Sequence, residues 1–108
     1  MNSQRLKQLY EFLKDDPNDP FTLYAIATEY NNFDLEKARE FYDKLLEEHE
    51  DYVATYYHAA QLYVDLGIRD RAESIYEKGI KIALNQGNHH AHRELQGAFN
   101  NFLFEEDD

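Results

Sequence analysis

Three histidines within four positions, His89, His90 and His92, come nearest in this sequence to a chemical site. His89 and His92 stand three apart near the start of a helix, a spacing that suits a transition metal. No carboxylate or thiol completes a ligand set around them in sequence, so they are expected as solvated residues at a helix start. His49-Glu50 begins like the zinc-binding pair of metalloproteases, but Val53 stands where the second histidine is needed. His58 follows Tyr57 and is expected as a surface polar residue. The carboxylates are spread along helix surfaces, and no pair has an apolar setting that would separate two pKa values. Ser3 and Ser74 are the only serines, neither beside a base. Gly67, Gly79, Gly87 and Gly97 form no phosphate-cradling loop. The residues point to no catalytic function, no metal and no cofactor.

The elements that must position these residues follow from composition and period. A chain of 108 residues fits one domain. Its 43% apolar residues, with nine Tyr and seven Phe, can offset the entropy of folding. Two prolines and four glycines are too few for a loop-rich β architecture. There is no cysteine, so disulfide and thiolate chemistry are excluded. Neither a secretory leader nor a membrane span is readable, which makes the cytoplasm the expected location. The net charge is −11: −8 over residues 1–68, +2 over 69–93, and five further acids from Glu94 onward. Such a chain repels phosphate backbones, so neither nucleic acid nor an anionic membrane is expected as a partner.

Helical periodicity runs from end to end. A first helix from an N-cap at Ser3 to Lys14 aligns Leu6, Leu9, Tyr10 and Leu13 on one stripe. Asp15 to Pro20 stops it, because proline cannot continue a helix. The second helix starts at Pro20 and reaches Tyr30. Asn31-Asn32-Phe33-Asp34 turns the chain, with Asp34 capping a third helix to Glu48. A fourth begins near Asp51 and ends at Leu66-Gly67. Asp70 opens a fifth that runs to Leu84, and a sixth spans His89 to Leu103. Glu105-Glu106-Asp107-Asp108 is expected to fray. Short connections make neighbouring helices antiparallel.

The pattern repeats. Leu23 to Tyr30 matches Tyr56 to Tyr63 at a spacing of 33 residues, and Ala38, Tyr42 and Leu46 match Ala72, Tyr76 and Ile80 at 34. The sequence here resembles the tetratricopeptide repeat. Residues 53–86 fill the family's places with Tyr56, Ala59, Ala60, Tyr63, Gly67, Ala72, Tyr76, Gly79 and Ile80. Residues 20–52 fill them with Leu23, Ile26, Ala27, Tyr30, Ala38, Tyr42, Leu45 and Leu46. They depart at Phe33, where a glycine is usual, and at Leu45, where a small residue is usual. The physics agrees with the resemblance: Ala27, Ala38, Ala60 and Ala72 are small where helix axes must approach, and the tyrosines fill the remaining gaps. Residues 1–16 then form a leading helix, 89–104 a capping helix, and 105–108 an acidic tail. The last helix presents Ala91, Leu95, Ala98, Phe99 and Phe102 on one face, with Arg93, Glu94 and Asn100 off it. The implied fold is all-α, an α-solenoid of antiparallel helix pairs.

The resemblance implies a protein–protein interaction module whose first helices line a concave groove. Its groove positions are Phe21, Tyr24, Thr28, Asn31 and Asn32 in the first unit. In the second they are Ala54, Tyr57, His58, Gln61, Val64 and Asp65. Tyr24 and Tyr57 are spare rings, since Tyr30 and Tyr63 already fill the packing places, and exposed tyrosine makes a good binding anchor. These places lack lysine and arginine, so a clamp for C-terminal carboxylates is not supported; acidic surroundings favour a basic or neutral ligand. The competing reading is self-association through exposed repeat ends and Phe102, Leu103 and Phe104.

Overall fold

The computed structural model describes residues 3–106 and consists, among them, of six helices without a strand. They are α1 (Ser3–Asp15), α2 (Pro20–Tyr30), α3 (Leu35–Glu48), α4 (Ala54–Asp65), α5 (Arg69–Asn85) and α6 (His89–Glu106). The fold is an all-α helical repeat of the α-solenoid class. The chain divides into two compact units, Met1–Tyr52 and Val53–Asp108. No described helix is long and apolar enough to cross a membrane.

In the first unit, local chemistry sets the helix starts. Asp19 accepts from the Thr22 backbone N–H at 3.1 Å and from the Thr22 hydroxyl at 2.6 Å, and Pro20 occupies the first turn. Asp34 accepts from the Lys37 N–H at 3.1 Å and so caps α3. The core joins α1 to α2 through Leu6, Leu9, Ala25 and Ile26, with Tyr10, Leu13, Tyr30 and Phe41 against it. Phe41 stacks on Tyr30 at 6.0 Å and meets Tyr10 edge-on at 6.3 Å. The two tyrosine hydroxyls share a 2.8 Å hydrogen bond. That bond solves the problem of burying phenols in an apolar cluster.

The second unit uses glycine to end its first two helices. Gly67 has φ +78° and Gly87 φ +69°, a region open to glycine without cost. At the first turn Ile68 N–H bonds the Tyr63 carbonyl (2.9 Å) and Gly67 N–H the Val64 carbonyl (3.0 Å). Asn88 with Ala83 and Gly87 with Leu84 repeat the pattern after α5. Both are Schellman motifs, which satisfy carbonyls that a helix end leaves open. Helix α5 packs on α4 and on α6, and α6 also touches α4. Tyr56, Tyr76 and Leu95 fill the space between them, each 2% exposed or less.

Several boundaries depart from the sequence reading. Helix α4 starts at Ala54 instead of Asp51, because Tyr52 N–H bonds back to the His49 carbonyl and holds residues 49–52 in a turn. Helix α6 continues through Glu105 and Glu106, so these two acids belong to the helix rather than to a frayed tail. Capping by the Ser3 side chain and fraying of Asp107 and Asp108 lie outside the described residues. Of the apolar trio Phe102, Leu103 and Phe104, Phe102 is a core residue at 4% exposure, whereas Phe104 is exposed.

Candidate functional site

Helix α4 buries Thr55, Tyr56, Ala59, Ala60, Leu62 and Tyr63. Its remaining face carries Tyr57, His58, Gln61, Val64 and Asp65. Helix α6 turns Leu95 and Phe102 inward, while Arg93, Gly97, Asn101 and Glu105 recur every fourth residue on an adjacent face. Between these faces runs a groove of about 420 Å³. Tyr57, Gln61 and Val64 form one wall, Arg93, Glu94, Gly97, Ala98, Asn101 and Glu105 the other, and Tyr76 and Phe102 the floor. The floor is rigid, because Tyr76 lies against Phe99 and Phe102 at 5.7 Å each.

The groove holds hydrogen-bonding groups and rings, not a reactive pair. His58 meets the Tyr57 ring edge-on at 5.4 Å. Burial pushes the His58 pKa below the usual histidine value, opposed by the Glu94 carboxylate, so the ring is neutral at physiological pH. It is half-buried rather than the surface residue expected. Burial likewise raises the Tyr76 phenol, with smaller contributions from Tyr57, Glu105 and Asp65. Gln61 donates to Asp65 at 3.2 Å. Gly97 is exposed, and a Cβ built on it meets no atom within 4 Å. A mid-helix glycine costs about 0.5–1 kcal/mol relative to alanine, and at Gly97 no neighbour requires it.

The other expected groove residues are five of the first unit and Ala54 of the second. Phe21 is exposed at 64%. Tyr24 is half-buried, not the free ring expected, because Tyr52 lies against it at 5.8 Å. Thr28 turns its hydroxyl to the Ala25 carbonyl at 3.0 Å. Asn31 ends α2 with its Oδ1 buried and unbonded, and Asn32 is exposed in the turn. Ala54 is the exposed first residue of α4. Among the described residues no cluster of three histidine or acidic side chains could hold a metal. His90 instead pairs with Glu94 at 3.7 Å.

Sequence reasoning did not assign α6 a groove wall. It assigned α6 one apolar face for capping, with Ala98 and Phe102 on it and Arg93 and Glu94 off it. The four-residue spacing of Arg93, Gly97, Asn101 and Glu105, with a glycine in mid-helix, was the available signal.

Eleven chains of solved structure match this one. The solution NMR structure of a tetratricopeptide repeat domain protein from Salinibacter ruber is 40% identical, over 81% of this chain and 89% of that one, with a TM-score of 0.76. This chain belongs to the tetratricopeptide repeat family. A crystal structure of such a protein from the same organism gives 38% identity over 78% of this chain and 96% of that one, with a TM-score of 0.74. MamA, at 20% identity over 94% of this chain and 67% of that one, shares the fold with a TM-score of 0.65. A scan with family sequence models gives no match, and a search of curated proteins gives none either. Tetratricopeptide repeats are in general protein–protein interaction modules, typically non-catalytic, and this chain is such a module in that general sense.

Proposed function

We propose that the groove between α4 and α6 binds an extended peptide segment of a protein partner, so that the chain acts as an adaptor or scaffold. The single observation that supports this is the open wall at Gly97, facing Tyr57 across a rigid aromatic floor. A glycine there lets a partner backbone come close, and Tyr57 offers a large ring with few rotors to freeze. The Asn101 side chain makes no hydrogen bond among the described residues and lines the same groove. An amide carries both a donor and an acceptor, which matches a peptide backbone. By the family resemblance Phe21, Tyr24, Thr28, Asn31 and Asn32 are the corresponding positions of the first unit.

The test is affinity capture from native lysate by the full chain, by Tyr57→Ala and by Gly97→Leu. A Cβ at this position meets no atom within 4 Å, and leucine favours the helix while adding bulk on the groove side. Captured proteins are expected to be lost, by tenfold or more, from both variants while their circular dichroism stays unchanged. Equal recovery by all three chains rules the groove out. A second reading, self-association, is favoured by Phe104 at 74% exposure and Phe12 at 63%. A concentration-independent 12.9 kDa species in sedimentation eliminates it.

A further inference from the structure

The first unit has an exposed apolar corner. Phe12 and Phe21 are 63% and 64% exposed, although each adjoins the core. Phe12 precedes Leu13, which packs on the cluster of Leu6, Leu9, Ala25 and Ile26, and Phe21 stands one turn before Ala25. A short turn joins α1 to α2, so the two helices are antiparallel. The last turn of α1 therefore lies beside the first turn of α2, and both rings are presented at one end. Clustered exposed rings with a polar rim mark interaction surfaces, where singly scattered ones do not.

The rim of this corner is acidic and largely unpaired. In the turn after α3, His49 Nε2 meets Asn18 Oδ1 at 3.1 Å, which holds that turn against the one between α1 and α2. Asp15 and Asp16 stand at the first turn, Glu47 and Glu48 at the second. None of these four side chains makes an ion pair or hydrogen bond among the described residues. A cleft of about 350 Å³ opens at the second turn, lined by Glu48, His49, Glu50, Asp51 and Tyr52. Nearby cations do not offset the acids: Lys14 is held by Glu11 at 3.2 Å, and Lys44 pairs with none of them. Helices α1 and α3 both end here, and a helix C-terminus adds partial negative charge. The whole unit carries six basic and thirteen acidic residues.

We infer that this corner docks a basic, amphipathic segment of a partner protein. Its apolar residue lies against Phe12 and Phe21, and its lysines or arginines reach the two acidic turns. An exposed ring beside an unpaired carboxylate suits a guanidinium or ammonium, which can lie over the ring face and donate to the acid. The protein makes a contact of this type internally, where Arg69 lies 4.3 Å over the Phe102 ring and donates to the Phe102 carbonyl at 3.2 Å. A net charge of −11 opposes a second copy at the same place. The surface belongs to the first unit and stands independently of the groove in the second.

The experiment pans the full chain against a bead-displayed library of decapeptides, N-acetylated and C-amidated. Enriched peptides are expected to be net basic and to carry at least one large apolar residue. The Phe12→Ser, Phe21→Ser double variant and the Asp15→Asn, Asp16→Asn, Glu48→Gln triple variant are each expected to weaken them about tenfold or more. Tyr57→Ala is expected to leave them unchanged, which separates this surface from the groove. Neutralising Glu36, Glu40 and Glu77, three exposed acids elsewhere, is expected to cost far less. A loss equal to that of the corner variant shows bulk attraction by an acidic chain and overturns the docking site. Enriched peptides without net positive charge, binders indifferent to the phenylalanine variant, or a library without binders overturn it as well. So does sedimentation in which the chain self-associates through Phe12 and Phe21, since a second copy then fills the corner. All the substituted side chains are exposed, and melting curves confirm that each variant keeps the fold.

Discussion

The two units solve the same packing problem with different residues. At equivalent places the first unit sets Leu23 and Leu45, buried at 1% and 0%, and the second sets Tyr56, also 0%, against a glycine. A Cβ on Gly79 would lie 2.5 Å from the Tyr56 Cβ, 2.8 Å from its Cγ and 3.2 Å from Leu95 Cδ1. The ring of Tyr56 occupies the volume that a side chain at position 79 would take, whereas two leucines share it in the first unit. Their turns differ as well. Gly67 reverses the chain in the left-handed region, while the first unit turns with no positive φ. There Phe33 and Asp34 N–H groups both bond the Tyr30 carbonyl, at 2.9 and 2.7 Å, and the Phe33 ring leans on Tyr30 at 5.5 Å. The lesson is that volume and hydrogen bonding are conserved between the units where residue type is not.

The largest expected effect comes from exchanging the volume-setting residues. Leu45→Gly leaves a cavity and adds a helix-interior glycine, and is expected to cost roughly 3–6 kcal/mol in denaturant unfolding. Gly79→Ala is expected to cost about 1–3 kcal/mol, because the Tyr56 atoms it meets adjoin the backbone and cannot swing away. Adding Tyr56→Leu to Gly79→Leu imposes the first unit's solution and is expected to recover more than half of the Gly79→Leu loss. No recovery breaks the comparison.

Next come the turns. Gly67→Ala forces a side chain into a positive-φ position and is expected to cost about 1–2 kcal/mol. Phe33→Gly gains nothing from a freedom its turn does not use and loses the ring contact with Tyr30, about 0.5–1 kcal/mol. Equal stabilisation by glycine in both turns would show that they are alike after all.

The smallest effects lie at the helix starts. Asp34→Ala and Asp19→Ala each remove a side-chain cap from the first unit, worth about 1 kcal/mol. The Thr22 hydroxyl, then its N–H, holds the Asp19 carboxyl below its ordinary pKa. A depressed carboxylate stabilises the fold above its unfolded-state pKa near 4, and that contribution disappears as pH falls through the lower folded-state value. Asp19→Asn is expected to flatten the acid limb of the stability profile below about pH 4. Helices α4 and α5 have no side-chain cap, since Val53 and Ile68 stand at those places. Val53→Ala is expected to leave the acid limb unchanged.

Much of this architecture was legible in the residues themselves. Ala27, Ala38, Ala60 and Ala72 recur at repeat spacing, and all four are fully buried. Burial at a fixed period is what a sequence records best. The start of α4 was placed near Asp51 because the turn over residues 49–52 is held by a backbone hydrogen bond that the side-chain pattern does not encode. Tyr52 over Tyr24 escaped notice for a related reason: a loop residue has no period, so its direction is set only by the fold. The groove wall was less legible because the apolar stripe of α6 carries the stronger period, and the polar face beside it has none of its own.

The Tyr56–Gly79 arrangement also constrains how repeats of this kind can drift apart. A lineage changing one residue at a time cannot pass from it to the paired-leucine arrangement without a less stable intermediate. Relatives should therefore hold one combination or the other, and a mixed pair should come with a compensating change close by. The two positions sit on different helices yet share one volume, so a change at either is felt at the other.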